Sequence, residues 1–156
     1  MKHAVAIAVP FLLAACAGPA SLAGRPEAEL RARMGAPEAE YANLDGSRTL
    51  AYPTGRLGTQ TFMAEVTPGG EVRSVRSALT DETFQDIQVG MRRDQILRLI
   101  GPPRETMRFP RLGEDSWEYY FVDTWGYRAL FFVNFDAAGM VVSKFTRRID
   151  NHRNDR

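Results

Sequence analysis

Gly90-Met91-Arg92-Arg93-Asp94-Gln95-Ile96-Leu97-Arg98-Leu99-Ile100-Gly101-Pro102-Pro103 decides the fold, because the chain contains it twice. Gly24-Arg25-Pro26-Glu27-Ala28-Glu29-Leu30-Arg31-Ala32-Arg33-Met34-Gly35-Ala36-Pro37 lies over it, with both glycines and the last proline in step. Ile96, Leu97, Leu99 and Ile100 have helical spacing, and Leu30 and Met34 do the same with fewer residues. Gly101 and Gly35 follow the last apolar residue, where a left-handed cap needs a residue without Cβ. The prolines beyond forbid continuation. A repeat of this length should be sought early, since missing it miscalls the fold.

The likeness continues downstream. Leu50-Ala51-Tyr52 lies over Trp117-Glu118-Tyr119, Phe62 to Val66 over Phe131 to Phe135, and Gly70-Glu71-Val72 over Gly139-Met140-Val141. Trp117, Tyr119 and Phe121 alternate with Ser116, Glu118 and Tyr120 at the period of a strand. Tyr127, Ala129, Phe131, Val133 and Phe135 alternate likewise, and Asp136-Ala137-Ala138-Gly139 is a hairpin-type turn before a returning strand, Met140 to Phe145. Thr67-Pro68-Gly69-Gly70 is the matching turn. Thr80 before Asp81 and Glu82 starts another short helix, carrying Phe84 and Ile87 inward. The fold class is therefore α+β: a tandem repeat of short helices packed on a three-stranded antiparallel sheet.

The N-terminus carries a second signal. Met1-Lys2-His3 precedes an apolar run from Ala4 to Ala15, and Leu13-Ala14-Ala15 leads to Cys16, the single cysteine of the 156 residues. A basic start, a short apolar run and small residues before the cut are the parts of a secretory signal. The run is shorter than the roughly 20 residues of a spanning helix. The pattern resembles the bacterial lipobox, which implies that the Cys16 thiol is diacylated and becomes the new N-terminus. A plain signal peptide with an incidental cysteine is the alternative. Ala17, where aspartate resembles an inner-membrane retention signal, favours the outer membrane. Four segments are expected: signal peptide 1–15, a degenerate first repeat 16–79, a second repeat 80–146, and a flexible tail 147–156.

Phe84-x-x-Ile87-x-x-Gly90-Met91, then Ile96 to Pro103, Trp117-x-Tyr119 and Phe135-Asp136-x-x-Gly139-x-Val141 together resemble the SmpA/OmlA (BamE-like) family of outer-membrane lipoproteins. The resemblance spans Thr80 to Phe145. It implies two helices packed on an antiparallel sheet, similar to each repeat of the β-lactamase inhibitor proteins. It also implies a protein that faces the periplasm and works in β-barrel assembly or envelope integrity. The first copy departs from the pattern, with Gly24-Arg25 for Gly-Met and no tryptophan in its strand; the tandem order is closer to the inhibitor proteins. An inhibitor-like protein capping a periplasmic or cell-wall enzyme is the alternative function.

Composition narrows the chemistry. Twenty Lys and Arg stand against nineteen Asp and Glu, a net charge of +1, so no strong field points at nucleic acid. Beyond the signal the only histidine is His152, and the lipobox resemblance implies that Cys16 carries lipid, which would remove Cys-His and most Ser-His-Asp arrangements. No His/Cys cluster has metal spacing. Glu27, Glu29, Glu38 and Glu40 could pair as acid and base, but a solvated helix face explains them more simply. No enzyme, no metal and no cofactor beyond the covalent lipid on Cys16 is expected. The expected partners are the inner leaflet of the outer membrane, through the anchor, and envelope proteins, the β-barrel assembly machine among them.

Tyr120, Val122, Leu130 and Phe132 fall on the sheet face opposite the aromatic core. Such apolar area either packs on the first repeat, the favoured reading, or meets a partner. Trp125 and Tyr127, near a turn, are the expected exposed anchors, with Tyr120 and Phe132 as candidate partner contacts.

Overall fold

The computed structural model describes residues 18–149; the signal, Cys16 and the end of the tail lie outside them. A 3-10 turn, Pro19–Leu22, leads to α1 (Glu27–Met34) and the strands β1 (Ala39–Ala42), β2 (Arg48–Pro53), β3 (Thr61–Val66) and β4 (Val72–Ser77). Helices α2 (Asp81–Gln85) and α3 (Arg93–Ile100) precede β5 (Glu105–Phe109), β6 (Glu114–Val122), β7 (Arg128–Phe135) and β8 (Val141–Arg148). Each half closes as a four-stranded antiparallel meander, in the orders β1-β2-β3-β4 and β5-β6-β7-β8.

The expected sheets had three strands; the extra one is the first of each. β1 is short, and β5 is exposed at four of its five residues. Edge strands that carry charge and bury little lack the alternation that betrays a strand in sequence. At the other end β8 runs to Arg148, two residues into the stretch read as tail, because Arg147 and Arg148 pair with Leu130 and Ala129.

The repeat is exact in its hydrogen bonds. Gly24 N–H donates to the Val72 carbonyl and Gly90 N–H to that of Val141, each at 2.8 Å. Val72 and Val141 donate back to Arg25 and Met91, also at 2.8 Å. Both sheets slip register at the same place, between Glu65 and Val66 and between Asn134 and Phe135. A bulge of this kind bends the strand and marks where the meander curls over its helix. Gly35 and Gly101 have φ of 82° and 80°, as a cap requires, but ψ of −162° and −172°. This is an extended positive-φ region open essentially to glycine, rather than the left-handed helical cap expected. Thr80 caps α2 by accepting the Thr83 N–H at 3.1 Å, and Gln95 accepts the Arg92 N–H at 2.8 Å at the head of α3.

Burial divides the chain into layers. Leu22, Leu30, Leu50, Tyr52, Ala64 and Val66 form a core between α1 and one face of the first sheet. The main core joins Ile96 and Ile100 of α3 and Phe84 of α2 to Trp117, Tyr119, Phe121, Phe131, Val133 and Phe135. It also takes in Ala51 and Met63, from the second face of the first sheet, with Leu97 and Leu99 partly buried beside them. Helix α3 is thus held between both sheets. Each fully buried aliphatic side chain there is worth about 1.5–3 kcal/mol. Arg76 donates to the Leu99 carbonyl at 2.6 Å, and Arg98 donates to the Ala42 carbonyl at 2.6 Å.

Candidate functional site

The four aromatic candidates lie in two places. Trp125 and Tyr127 occupy the β6–β7 turn and are 78% and 58% exposed. The turn is built rigidly. Asp123 Oδ1 accepts the N–H groups of Trp125 at 3.0 Å and Tyr127 at 2.8 Å, and Gly126 supplies a φ of 84°. Oδ2 of the same carboxylate accepts Arg148 Nε at 2.6 Å, and the Arg148 guanidinium sits 4.7 Å from the centre of the Tyr127 ring. The N–H and hydroxyl of Thr124 both donate to Asp81 Oδ2 at 2.7 Å, which ties the turn to the first turn of α2. Burial pushes the Asp123 carboxyl up, but the Tyr127 and Trp125 amides and Arg148 outweigh it and hold it below its ordinary value. A large aromatic presented on a turn already ordered loses little further entropy on binding.

Tyr120 and Phe132 lie elsewhere, on the outer face of the second sheet. The first repeat meets only the Tyr120 end of this face, where Pro53, Gly55, Arg56 and Gln60 line a pocket with Arg104 and Tyr120. It does not cover the Phe132 side as the favoured expectation had it, because its own sheet is seated on α3. Phe132 is nevertheless only 5% exposed. Its cover comes from the neighbouring strand: Phe145 stacks on it with centroids 4.7 Å apart, and the Arg147 guanidinium lies 5.5 Å from its ring. Tyr120 is half-buried under the Arg104 guanidinium, 6.0 Å away, and Arg104 is ion-paired with Glu118. Around Phe132 runs a groove with Ser116 in its floor, Met107, Phe109 and Leu112 on the β5 side and Phe145 on the β8 side. Phe109, Leu112 and Phe145 are 43%, 69% and 50% exposed. Phe109 and Leu112 are not singled out by alternation, since β5 and the turn after it were not legible as a strand; for Phe145 the signal is the repeat alignment, which places it at the position of Arg76.

The carboxylates of the first repeat do not form an acid–base pair. Glu27 and Glu40 share Arg31 and Arg48 in one ion-pair network, with Arg31 2.8 Å from Glu27 and 2.6 Å from Glu40. The Arg48 hydrogen bond holds the Glu27 carboxyl below its ordinary value against the opposing effect of burial, and Arg31 adds to it. Among the described residues no three His, Cys, Asp or Glu side chains converge on a metal-sized site. No described helix is long and apolar enough to cross a membrane.

Two helix–meander units in tandem, the second with an aromatic turn and an open apolar groove, define an α+β protein of tandem-repeat architecture. Residues 76–144, the second unit almost entire, match the outer membrane protein assembly factor BamE domain. No curated protein matches the chain. One similar solved structure is described as an osmotically inducible lipoprotein, OsmE, at 24% identity over 42% of this chain and 75% of that one, with a TM-score of 0.38. Another is described as a β-lactamase inhibitor protein from Streptococcus mutans, at 13% identity over 78% of this chain and 82% of that one, with a TM-score of 0.32.

Proposed function

We propose that the protein is a non-enzymatic, lipid-anchored binding or scaffold module of the outer membrane, facing the periplasm and acting in β-barrel assembly or envelope integrity. The observation that carries this reading is a coincidence of independent signals. A BamE-type domain at residues 76–144 sits in a chain whose N-terminus reads Leu13-Ala14-Ala15-Cys16. Acyl chains on Cys16 would supply the anchor, since one chain binds a membrane marginally and several hold it stably. Trp125 and Tyr127 would reach the partner from the ordered turn, and the first repeat would space them from the anchor.

Labelled palmitate fed to cells should enter the wild type and not Cys16→Ser, and Cys16→Ser should leave the membrane fraction. Equal label in both, or a mature N-terminus elsewhere, contradicts the anchor. Retrieval from envelope extracts should bring down barrel-assembly components with the wild type, and less with Trp125→Ala. A single hydrolase in their place would favour the inhibitor function.

A further inference from the structure

The two sheets correspond residue for residue, so the open face of the second has a counterpart in the first. Equivalent registers pair Ala51 with Met63 and Glu118 with Phe132, and Met63 with Arg76 and Phe132 with Phe145. On the edge strands Tyr41 faces Thr49 as Met107 faces Ser116. In the first sheet this surface is occupied. Helix α3 lies on Ala51 and Met63, Arg98 of α3 lies 5.8 Å from the Tyr41 ring, and Arg76 grips the Leu99 carbonyl. In the second sheet the same surface is the groove around Phe132, and among the described residues no helix lies on it.

We propose that this groove seats a two-turn amphipathic helix from a separate partner protein, in the position that α3 takes on the first sheet. The width suits it. Four strands span about 14 Å at ordinary spacing, and a helix with its side chains is about 10–12 Å across. The floor over β6 and β7 includes the small Ser116, while the edge strands raise Met107, Phe109 and Phe145 as walls, which is the shape of a channel along the sheet. Among the described residues no helix of a second copy offers a free apolar stripe to the groove. The outward positions of α1 are Ala28, Ala32 and Arg33, all exposed, and Arg31 and Glu27 are engaged in ion pairs. Helices α2 and α3 have their apolar residues buried or partly buried within this chain. The partner helix is specified further by what changed between the repeats. Phe145 stands where Arg76 gripped a carbonyl, so attachment rests on an apolar stripe at i, i+3 and i+4. Glu105 and Glu114 share the β5 side of the face, so a basic residue beside the stripe is matched there.

The test is site-specific photo-crosslinking in cells that carry the full chain. A benzophenone amino acid is placed at position 145 or 107, with position 33 on α1 as control. Crosslinks should form at 145 and 107 above the level at 33, and the attacked residues on the partner should recur at helical spacing. Phe109→Glu, a change at an exposed wall, should cut crosslinking at 145 by about tenfold while leaving the melting temperature unchanged. If it shifts melting, Leu112→Glu on the neighbouring turn takes its place. Crosslinking no stronger than at 33, attack at alternate residues of an extended strand, or capture of a second copy or of lipid would each overturn the proposal. The groove needs a helix within reach and no anchor. An unlabelled Cys16 would therefore refute the lipoprotein reading and leave this expectation standing.

Discussion

The first repeat and the second are one design at two stages of completion. In both, a helix ends at a positive-φ glycine, a meander follows, and the last two strands are bulged at the same step. In both, the face bearing Leu50 and Tyr52, or Trp117 and Tyr119, lies on the repeat's own helix. They part at the other face. That of the first sheet carries Ala51 and Met63 and is closed by α3, whereas that of the second carries Glu118 and Phe132, which are closed by the side chains of Arg104, Phe145 and Arg147 of the same repeat. A sheet sandwiched between helices must be apolar on both faces, while a terminal sheet can afford a carboxylate. The difference explains why the first half looks degenerate in sequence: its strands answer to two cores at once.

The comparison is most severely strained by cutting into either core. Trp117→Ala removes a ring that packs 4.6 Å from Phe135 and should cost about 3–5 kcal/mol. Leu50→Ala, its equivalent, should cost about 2–5 kcal/mol. Because α3 binds both sheets, urea unfolding of each variant should remain a single transition for fluorescence and circular dichroism. Two separated transitions would mean that the repeats fold independently.

A smaller effect separates the two glycines. Gly35 and Gly101 have nearly the same backbone, so alanine at either should cost about 1–3 kcal/mol in strain. A Cβ on Gly35 meets nothing within 4 Å, but one on Gly101 would come within 2.9 Å of Thr61 Cγ2 and 3.3 Å of Met63 Sδ. Gly101→Ala should therefore lose about 1–3 kcal/mol more, the cost of overpacking a filled site. Equal losses in denaturant titrations would place the first sheet away from the end of α3.

Acid should act on the first repeat through Glu27. Its folded carboxyl titrates below the ordinary 4.5, so its contribution is complete above that value and is lost as pH falls through the lowered one. Glu27→Gln should flatten the fall in melting temperature below about pH 4.5. An unchanged acid limb would show that the Arg31 and Arg48 pairs are too solvated to matter.

Much of this was legible in the chain. The equivalence of Phe62–Val66 with Phe131–Phe135, the turns, the Thr80 cap and the inward Phe84 and Ile87 follow from local spacing. β1 and β5 were not, because an edge strand buries one side of a few residues. The double role of α3 was not either: Leu97 and Leu99 read as the broad flank of one stripe until a second sheet is known to lie beside them. Phe132 illustrates the same limit at the candidate site. Alternation placed it on the outer face correctly, but its cover by Phe145 and Arg147 depends on the register of a strand that was expected to end at Phe145.

The central claim is that α3 covers the second face of the first sheet while no described helix covers the equivalent face of the second, and exchanging their residues tests it directly. Ala51 and Glu118 occupy the same position. Ala51→Glu would bury a carboxylate against α3 without the arginine that Glu118 has in Arg104, and unfolding in urea should show a loss of about 3–5 kcal/mol. Glu118→Ala leaves Arg104, itself 29% exposed, without its partner and should cost about 1–3 kcal/mol. A loss for Ala51→Glu no larger than that for Glu118→Ala would mean that water reaches the second face of the first sheet, and that α3 is not its cover.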